Sequence, residues 1–365
     1  MPGRDTVLQI VPQLPGTFDG VGDYALSLAR ALSAGHGITS TFLVAAATSA
    51  TSRDDYAVIS GLNPMASAEL ASAHEHVILH YVNYGYQARG VPLRLRTFAK
   101  HLRPRLRGRW VTMFHELYAS GPPWGSAFWL RPFQVRIARD LIDVSSSCVV
   151  SNPPIEAAIR AYDSKKQIRV LPVLSNFGEP ELTDFTASSP KRWAICGGTA
   201  LVERSLRLFE QLRPLVPAPF TPEHLDVVGG RPHPAISAAI DRLKRAMSVH
   251  HYSEVEAHLA SEVLRQCSFG WIDYFGSGKM WPGMILKSGA FAALCANSVI
   301  PILSHREQPI TVDGDALPGP YWLSSNDAHF PAPDELPAVR ERFYAWYHAH
   351  ADAQQIARNF AEALR

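Results

Sequence analysis

Short apolar runs alternate along this chain with segments whose apolar residues recur every three or four positions. Thr6–Val11 reads as a short buried strand. A Pro/Gly-rich stretch, Pro12 to Gly22, separates it from Ala25, Leu28, Ala29 and Leu32, whose spacing predicts an amphipathic helix ended by Gly35 and Gly37. Thr41–Ala45 predicts the next strand, which completes a βαβ unit with a right-handed crossover. Further strands are predicted at Val77–Leu79, Trp110–Phe114, Cys148–Val150 and Ile168–Val170, with helices over Phe128–Leu141 and Ile155–Tyr162. In Pro172–Pro190, Pro, Gly, Asn and Ser replace periodicity and predict a linker.

A second series opens with a strand at Trp193–Cys196, then Gly197-Gly198 and a helix over Arg204–Leu212. Leu225–Val228 is a strand stopped by Gly229-Gly230. Helices follow at Ala235–Met247 and Glu254–Arg265, the latter with Ser253 as N-cap and Glu256 completing a capping box. Met284–Ala296 reads as one apolar helix, Val299–Leu303 as a strand, and Leu336–His348 and Ala351–Leu364 as the closing helices. The fold class is α/β: two doubly wound Rossmann-like domains, 1–185 and 186–350, with a ligand cleft expected at the carboxyl ends of both sheets.

A length of 365 residues agrees with two domains rather than one core. The 47% hydrophobic and 19% charged composition is that of a folded globular protein, and a net charge of +2 gives no global argument for nucleic acid. Cys148, Cys196, Cys267 and Cys295 are widely spaced with no C-x-x-C pair, as buried free thiols in a reducing compartment would be. The start of the chain lacks a signal-peptide core, and no apolar run reaches membrane-spanning length. A cytoplasmic location is expected, with contact at the inner face of a membrane left open.

The strongest local signal is Pro15-Gly16-Thr17-Phe18-Asp19-Gly20-Val21-Gly22-Asp23-Tyr24, between the first strand and first helix. Glycines there admit a ligand close to the backbone, and a helix N-terminus attracts an anion. It is not G-x-G-x-x-G, because Asp23 and Tyr24 fill the later positions. From the residues alone, a phosphate-binding loop and a tight turn without ligand both fit.

Gly20-Val21-Gly22-Asp23-Tyr24-Ala25, with the Ala/Leu-rich helix behind it, resembles the N-terminal loop of retaining GT-B glycosyltransferases of the group 1, family 4-like branch. Val111–Glu116, Leu171–Gly178, Leu225–Gly230 and Tyr252–Gly270 resemble later segments of that family in the same order. The resemblance implies the GT-B fold, with the last helix, 351–365, returning to the N-terminal acceptor domain, and a C-terminal nucleotide-sugar donor domain. It implies transfer of a sugar, with retention, from a nucleotide diphosphate sugar to a glycan, lipid-linked or small-molecule acceptor, as in polysaccharide biosynthesis, with no metal and no cofactor. His115 would orient the donor sugar. Gly20, Val21, Gly22, Arg204, Lys287 and Ser288 would hold the donor phosphates, and Asp23, Tyr24 and Glu116 would lie on the acceptor side.

The chain departs from the family where a spaced pair of glutamates should grip donor hydroxyls, since Ile285 and Ala293 stand there. A family arginine is Thr199, and Arg204 replaces a lysine. These losses keep two alternatives open: a degenerate, glycosyltransferase-like binding or scaffold protein, or an enzyme for an unusual phosphate-bearing ligand. Gly276-Ser277-Gly278-Lys279 lacks the rest of a P-loop.

Two stretches remain. Val91–Arg109 carries Arg94, Arg96, Lys100, Arg103, Arg105, Arg107 and Arg109 with no acid. A face on anionic lipid, a contact with an anionic acceptor and a solvated helix all fit; nucleic acid is set aside because no reading module accompanies it. Tyr118, Trp124, Phe128 and Trp129 follow the predicted His115 strand, as a sugar-stacking lid or as core. His74, His76, His250 and His251 show no metal-ligand spacing.

Overall fold

The structure is a computed structural model that describes residues 6–14, 20–119, 121, 123–186, 189–274 and 283–365. The chain divides into two compact units, Met1–Leu171 with Ala353–Arg365, and Pro172–Asp352.

The first unit runs β1 (Thr6–Val11), α1 (Gly20–His36), β2 (Thr39–Val44), β3 (Ser52–Arg53), β4 (Tyr56–Ser60), α2 (Ser67–Ala73), β5 (His76–Tyr81), α3 (Asn83–Tyr86), α4 (Leu93–Leu102), β6 (Trp110–Phe114), α5 (Ser126–Val144), β7 (Ser147–Val150), α6 (Pro153–Tyr162) and β8 (Ile168–Val170). Among the described residues the sheet order is β3-β4-β2-β1-β5-β6-β7-β8, parallel throughout except for the β3–β4 pair. The strands wind one way from β1 to β4 and the other way from β5 to β8, so the winding reverses between β1 and β5. Every residue of β5, β6 and β7 is buried, which is why these segments are mostly apolar without alternation. α1 turns Tyr24, Ala25, Leu28, Ala29 and Leu32 inward, the stripe its spacing predicts.

The second unit contains β9 (Ser189–Gly197), α7 (Thr199–Leu212), β10 (His224–Gly229), α8 (Pro234–Leu243), β11 (Ser248–Tyr252), α9 (Ala257–Arg265), β12 (Cys267–Ile272), α10 (Gly289–Ala296), β13 (Ile300–Leu303), β14 (Thr311–Val312), β15 (Asp315–Ala316), β16 (Tyr321–Leu323), β17 (Ala328–His329) and α11 (Leu336–His350). The last helix, α12 (Ala353–Leu364), belongs to the first unit and packs on α1. The main sheet, β11-β10-β9-β12-β13-β16-β17, repeats the reversed winding, here between β9 and β12. Buried Trp193 and Trp271 stack this core, and each indole N–H donates to a carbonyl, of Phe220 and Ser205 respectively.

Two predicted helices are corrected. The stretch read as one helix over Met284–Ala296 is a 3-10 turn, Met284–Lys287, followed by α10. Ser288 breaks it by adopting extended backbone and accepting the Phe291 N–H on its hydroxyl. The helix expected from Glu254 starts at Ala257, without the Ser253 cap. Glu254 instead sits at φ 54° in the turn that leaves β11 and pairs with Arg231. The four cysteines are free and buried. No helix among the described residues is long and apolar enough to cross a membrane.

Candidate functional site

In an open α/β sheet, ligands bind beyond the carboxyl ends of the strands, where the winding reverses. Each unit presents a polar cluster at that place.

In the first unit, α1 follows β1, His80 lies near the end of β5, and His115 directly follows β6. The His115 N–H donates to the Tyr81 carbonyl at 3.0 Å, which fixes it against the end of β5. The His80 and His115 rings stack with centroids 5.8 Å apart, and the Tyr24 ring meets His115 edge-on at 5.2 Å. His80 Nε2 lies 2.8 Å from Gln9 Oε1; an amide oxygen only accepts, so Nε2 carries the proton. Gln9 in turn donates to Ser40 Oγ at 2.9 Å. A buried line of hydrogen bonds thus runs from β2 through β1 to the histidine pair.

Burial, and then the neighbouring His115, hold the pKa of His80 well below its ordinary value, so His80 is a neutral ring. Burial raises the Tyr24 phenol. His80 Nδ1 and Tyr24 Oη are buried without a hydrogen-bond partner among the described residues. Tyr24 therefore packs into the histidine pair. Gly20, Val21 and Gly22 form the first turn of α1 rather than a loop ahead of it, and Asp23 and Glu116 are half-buried nearby in the chain. The earlier part of the glycine loop, 15–19, lies outside the described residues. Sequence reading missed His80 and Gln9.

In the second unit, Gly197 ends β9 and Gly229-Gly230 ends β10. Gly229 has φ 89°, and a Cβ there would lie 2.5 Å from the Gly197 carbonyl oxygen, so only glycine lets these two turns touch. Arg204, in α7, reaches across to the end of β12. Its Nε donates to the Asp273 carbonyl at 2.8 Å and lies 3.3 Å from the Asp273 carboxylate, while Nη2 donates to Tyr274. The buried Asp273 is held further by the hydroxyls of Ser304 and Ser205, one donating and one accepting. Arg204 is thus held by the chain, with Nη1 the nitrogen that these contacts do not use.

Lys287 and Ser288 adjoin at the start of α10, and Ser288 is buried as its cap. Lys279 and the Gly276–Lys279 stretch lie outside the described residues. Ile285 and Ala293, standing where the resembled family carries glutamates, are fully packed in the core. Trp124 and Trp129 are solvent-exposed, which removes the core reading for those two rings.

No protein-family model matches the chain, and no curated protein matches its sequence. Solved structures do. An alpha-glucosyltransferase in complex with UDP superposes with a TM-score of 0.61 at 12% identity, covering 99% of both chains. The N-terminal domain of Candida albicans trehalose-6-phosphate phosphatase gives 0.61 at 11% identity, over 99% of this chain and 96% of that one. At these identities the likeness establishes the fold, which is GT-B. A third structure is an alpha-glucosyltransferase in complex with UDP and a 13-mer DNA containing a HMU base, with a TM-score of 0.60 at 12% identity over 99% of this chain and 100% of that one. That finding overturns the exclusion of nucleic acid as a partner. The net charge of +2 is an average over the whole chain and says nothing of local cation clusters.

Proposed function

We propose that the protein is a glycosyltransferase that takes a sugar from a nucleotide diphosphate sugar and transfers it, with retention and without a metal, to a glycan, lipid-linked or small-molecule acceptor. The observation that carries this reading is the coincidence, in each unit, of a fixed polar cluster with the place where the sheet's winding reverses, on a GT-B fold.

The second unit takes the donor. Breaking the bond from sugar to diphosphate leaves negative charge on the departing phosphate, and donors aimed there in advance lower the barrier most. Arg204 Nη1, Lys287, and the amino end of α10 beside Ser288 supply that charge. Anchoring Arg204 on Asp273 and Tyr274 removes its rotamer freedom before the ligand arrives. In the first unit His115 orients the sugar, neutral His80 supports its ring, and the first turn of α1, Gly20-Val21-Gly22, adds the positive end of a helix. Asp23, Tyr24 and Glu116 form the acceptor side, with Tyr24 acting through its packing on the histidines.

Melting curves with UDP, GDP and ADP, and with their sugars, test the reading; a chain stabilised by none of them is not this enzyme. With the stabilising nucleotide, Arg204→Ala weakens affinity roughly tenfold, the loss of one charge-assisted hydrogen bond. Unchanged affinity removes Arg204 from the phosphate site. His115→Ala lowers kcat more than donor affinity. The burial of Ile285 and Ala293 favours a second reading, a nucleotide-sugar-binding protein without turnover. Donor binding with neither transfer nor donor hydrolysis would decide for it.

A further inference from the structure

The helices of a parallel α/β unit run opposite to its strands, so their carbonyl ends gather at the amino edge of the sheet, where cations are expected simply to balance them. In the first unit this edge is lined on one side by Arg103, Arg107, Arg109 and Arg365 around a cavity of about 530 Å³, with Glu75 its acidic side chain. An adjoining cavity of about 410 Å³ shares Arg109 and adds Arg160, Lys165, Lys166 and Arg169, with Glu362 its acid. Both lie at the sheet edge opposite the histidine cluster.

Much of this charge is already committed. Arg103 donates to the Val144 carbonyl that ends α5, and Lys166 to the Ser145 carbonyl beside it. Arg160 pairs with Glu156, and Arg169 with Glu362 and Asn359. Arg107, Arg109 and Lys165 are exposed, and their side chains make no hydrogen bond or ion pair among the described residues. Their placement is built into the chain. Buried Leu106 and Trp110 anchor the segment, so the residues between them face outward. Gly108 lies against β5, donating to the Glu75 carbonyl at 3.1 Å, and a Cβ there would sit 2.4 Å from that oxygen. The next N–H, of Arg109, donates to His76 Nδ1 at 3.1 Å. The backbone is thus clamped at the glycine and at the residue after it, with one arginine rooted on each side of Gly108.

We propose that these adjoining cavities bind a small anion carrying more than one phosphate group. Two uncommitted guanidinium groups carried on a fixed backbone, and an ammonium, in excess of what the helix ends use, match phosphate oxygens in charge and in donor type. Each cavity has the volume of a small-molecule site. The rings on their walls are the imidazoles of buried His76 and half-buried His36, with no Phe, Tyr or Trp among the described residues, so there is no broad platform for stacking bases. The lining apolar residues of the first cavity, Ile38, Ala361 and Leu364, are buried, and the second adds only half-buried Ile168 and Ala363, so little apolar surface is offered to a lipid.

The test is calorimetric titration of the full chain with inorganic tripolyphosphate, at an ionic strength held constant with sodium chloride, on wild type and on the Arg107→Gln/Arg109→Gln double variant. Both side chains are exposed, so the fold is kept, and an unchanged melting temperature checks that. The expected result is saturable binding to wild type, weakened about tenfold for each arginine removed. UDP titrated in parallel binds both proteins alike, which separates this site from the proposed donor site. An equal isotherm in the double variant overturns the proposal. So does an effect that sodium sulfate reproduces at the same ionic strength. Tighter capture of a DNA oligomer or of phosphatidylglycerol vesicles than of tripolyphosphate, abolished by the same substitutions, also overturns it and reassigns the face.

Discussion

Replacing Gln9 by leucine isolates the buried hydrogen-bond line from Ser40 through Gln9 to His80. Gln9 is fully buried in β1, accepts from His80 and donates to Ser40. Leucine fills a similar volume, so no large cavity opens and the cost is polar. The His80 N–H loses its acceptor inside the core, worth about 1–3 kcal/mol, and the Ser40 hydroxyl loses its donor for about 1 kcal/mol more. Gln9→Leu is therefore expected to cost about 2–4 kcal/mol. Hydrogen exchange at the amides of β1 and β5 reads that cost locally, which matters in a chain of two units that need not unfold together. The consequence for function is separate. Without Gln9 the His80 ring is no longer held in one tautomer, and His115 loses a fixed surface to stack on, so kcat falls while donor affinity stays. Gln9→Glu separates the charged from the neutral ring. The pKa of His80 is depressed in the folded state, so the stability owed to its neutral form is complete above the ordinary value of 6.5 and is lost as the pH falls below it. A carboxylate at position 9 favours the charged ring and raises its folded-state value towards the ordinary one, which shrinks that loss or removes it. A Gln9→Leu protein whose β1 and β5 amides exchange within about 0.5 kcal/mol of wild type refutes the reasoning, because a buried donor would then have lost its acceptor at no cost.

Two further outcomes follow from single groups in the second unit. Gly229→Ala forces a Cβ against the Gly197 carbonyl at φ 89°, and should cost about 3 kcal/mol and abolish nucleotide-dependent stabilisation; a melting temperature equal to wild type counts against the close turn. Glu307 follows β13 with one carboxylate oxygen accepting the Gln308 N–H and the other buried without a hydrogen-bond partner among the described residues, and burial raises its pKa. The stability owed to its protonated form is complete below 4.5 and lost as the pH rises through the raised value. Glu307→Gln should then stabilise the unit by about 1 kcal/mol at pH 7, roughly 2–4 °C, with the gain vanishing near pH 4; a gain independent of pH would show that the charge is not its source.

What the sequence could and could not show follows from how far apart the interacting groups lie along it. Strands buried on both faces announce themselves as apolar runs, and β1, β6 and β7 were legible for that reason. The strand at Val77–Leu79 was also legible, but it stops one residue short of the group that matters. His80 is as buried as its neighbours, yet a histidine reads as polar and its acceptor, Gln9, is 71 residues away. Arg204 carried a visible charge, but its tie to Asp273, 69 residues on, is made only when α7 packs over β12. α10 is apolar on every side, so periodicity gave no phase by which to see that Ser288 ends one turn and caps the next.

The basic segment shows the same limit from the other direction. Seven cations between Val91 and Arg109 read as one face. Folding distributes them: Arg94 stays exposed on α4, away from the cavities, Arg96 and Lys100 turn to Asp140 on α5, and Arg103 and Arg105 to main-chain carbonyls. Arg107 and Arg109 are held outward by a glycine clamp whose contacts lie on β5. A count of charges cannot make that division, because it depends on which helix ends and carboxylates the tertiary fold brings to each cation. The anion site proposed at the amino edge is what is left after those local demands are met, and so it becomes visible only once every committed cation has been assigned.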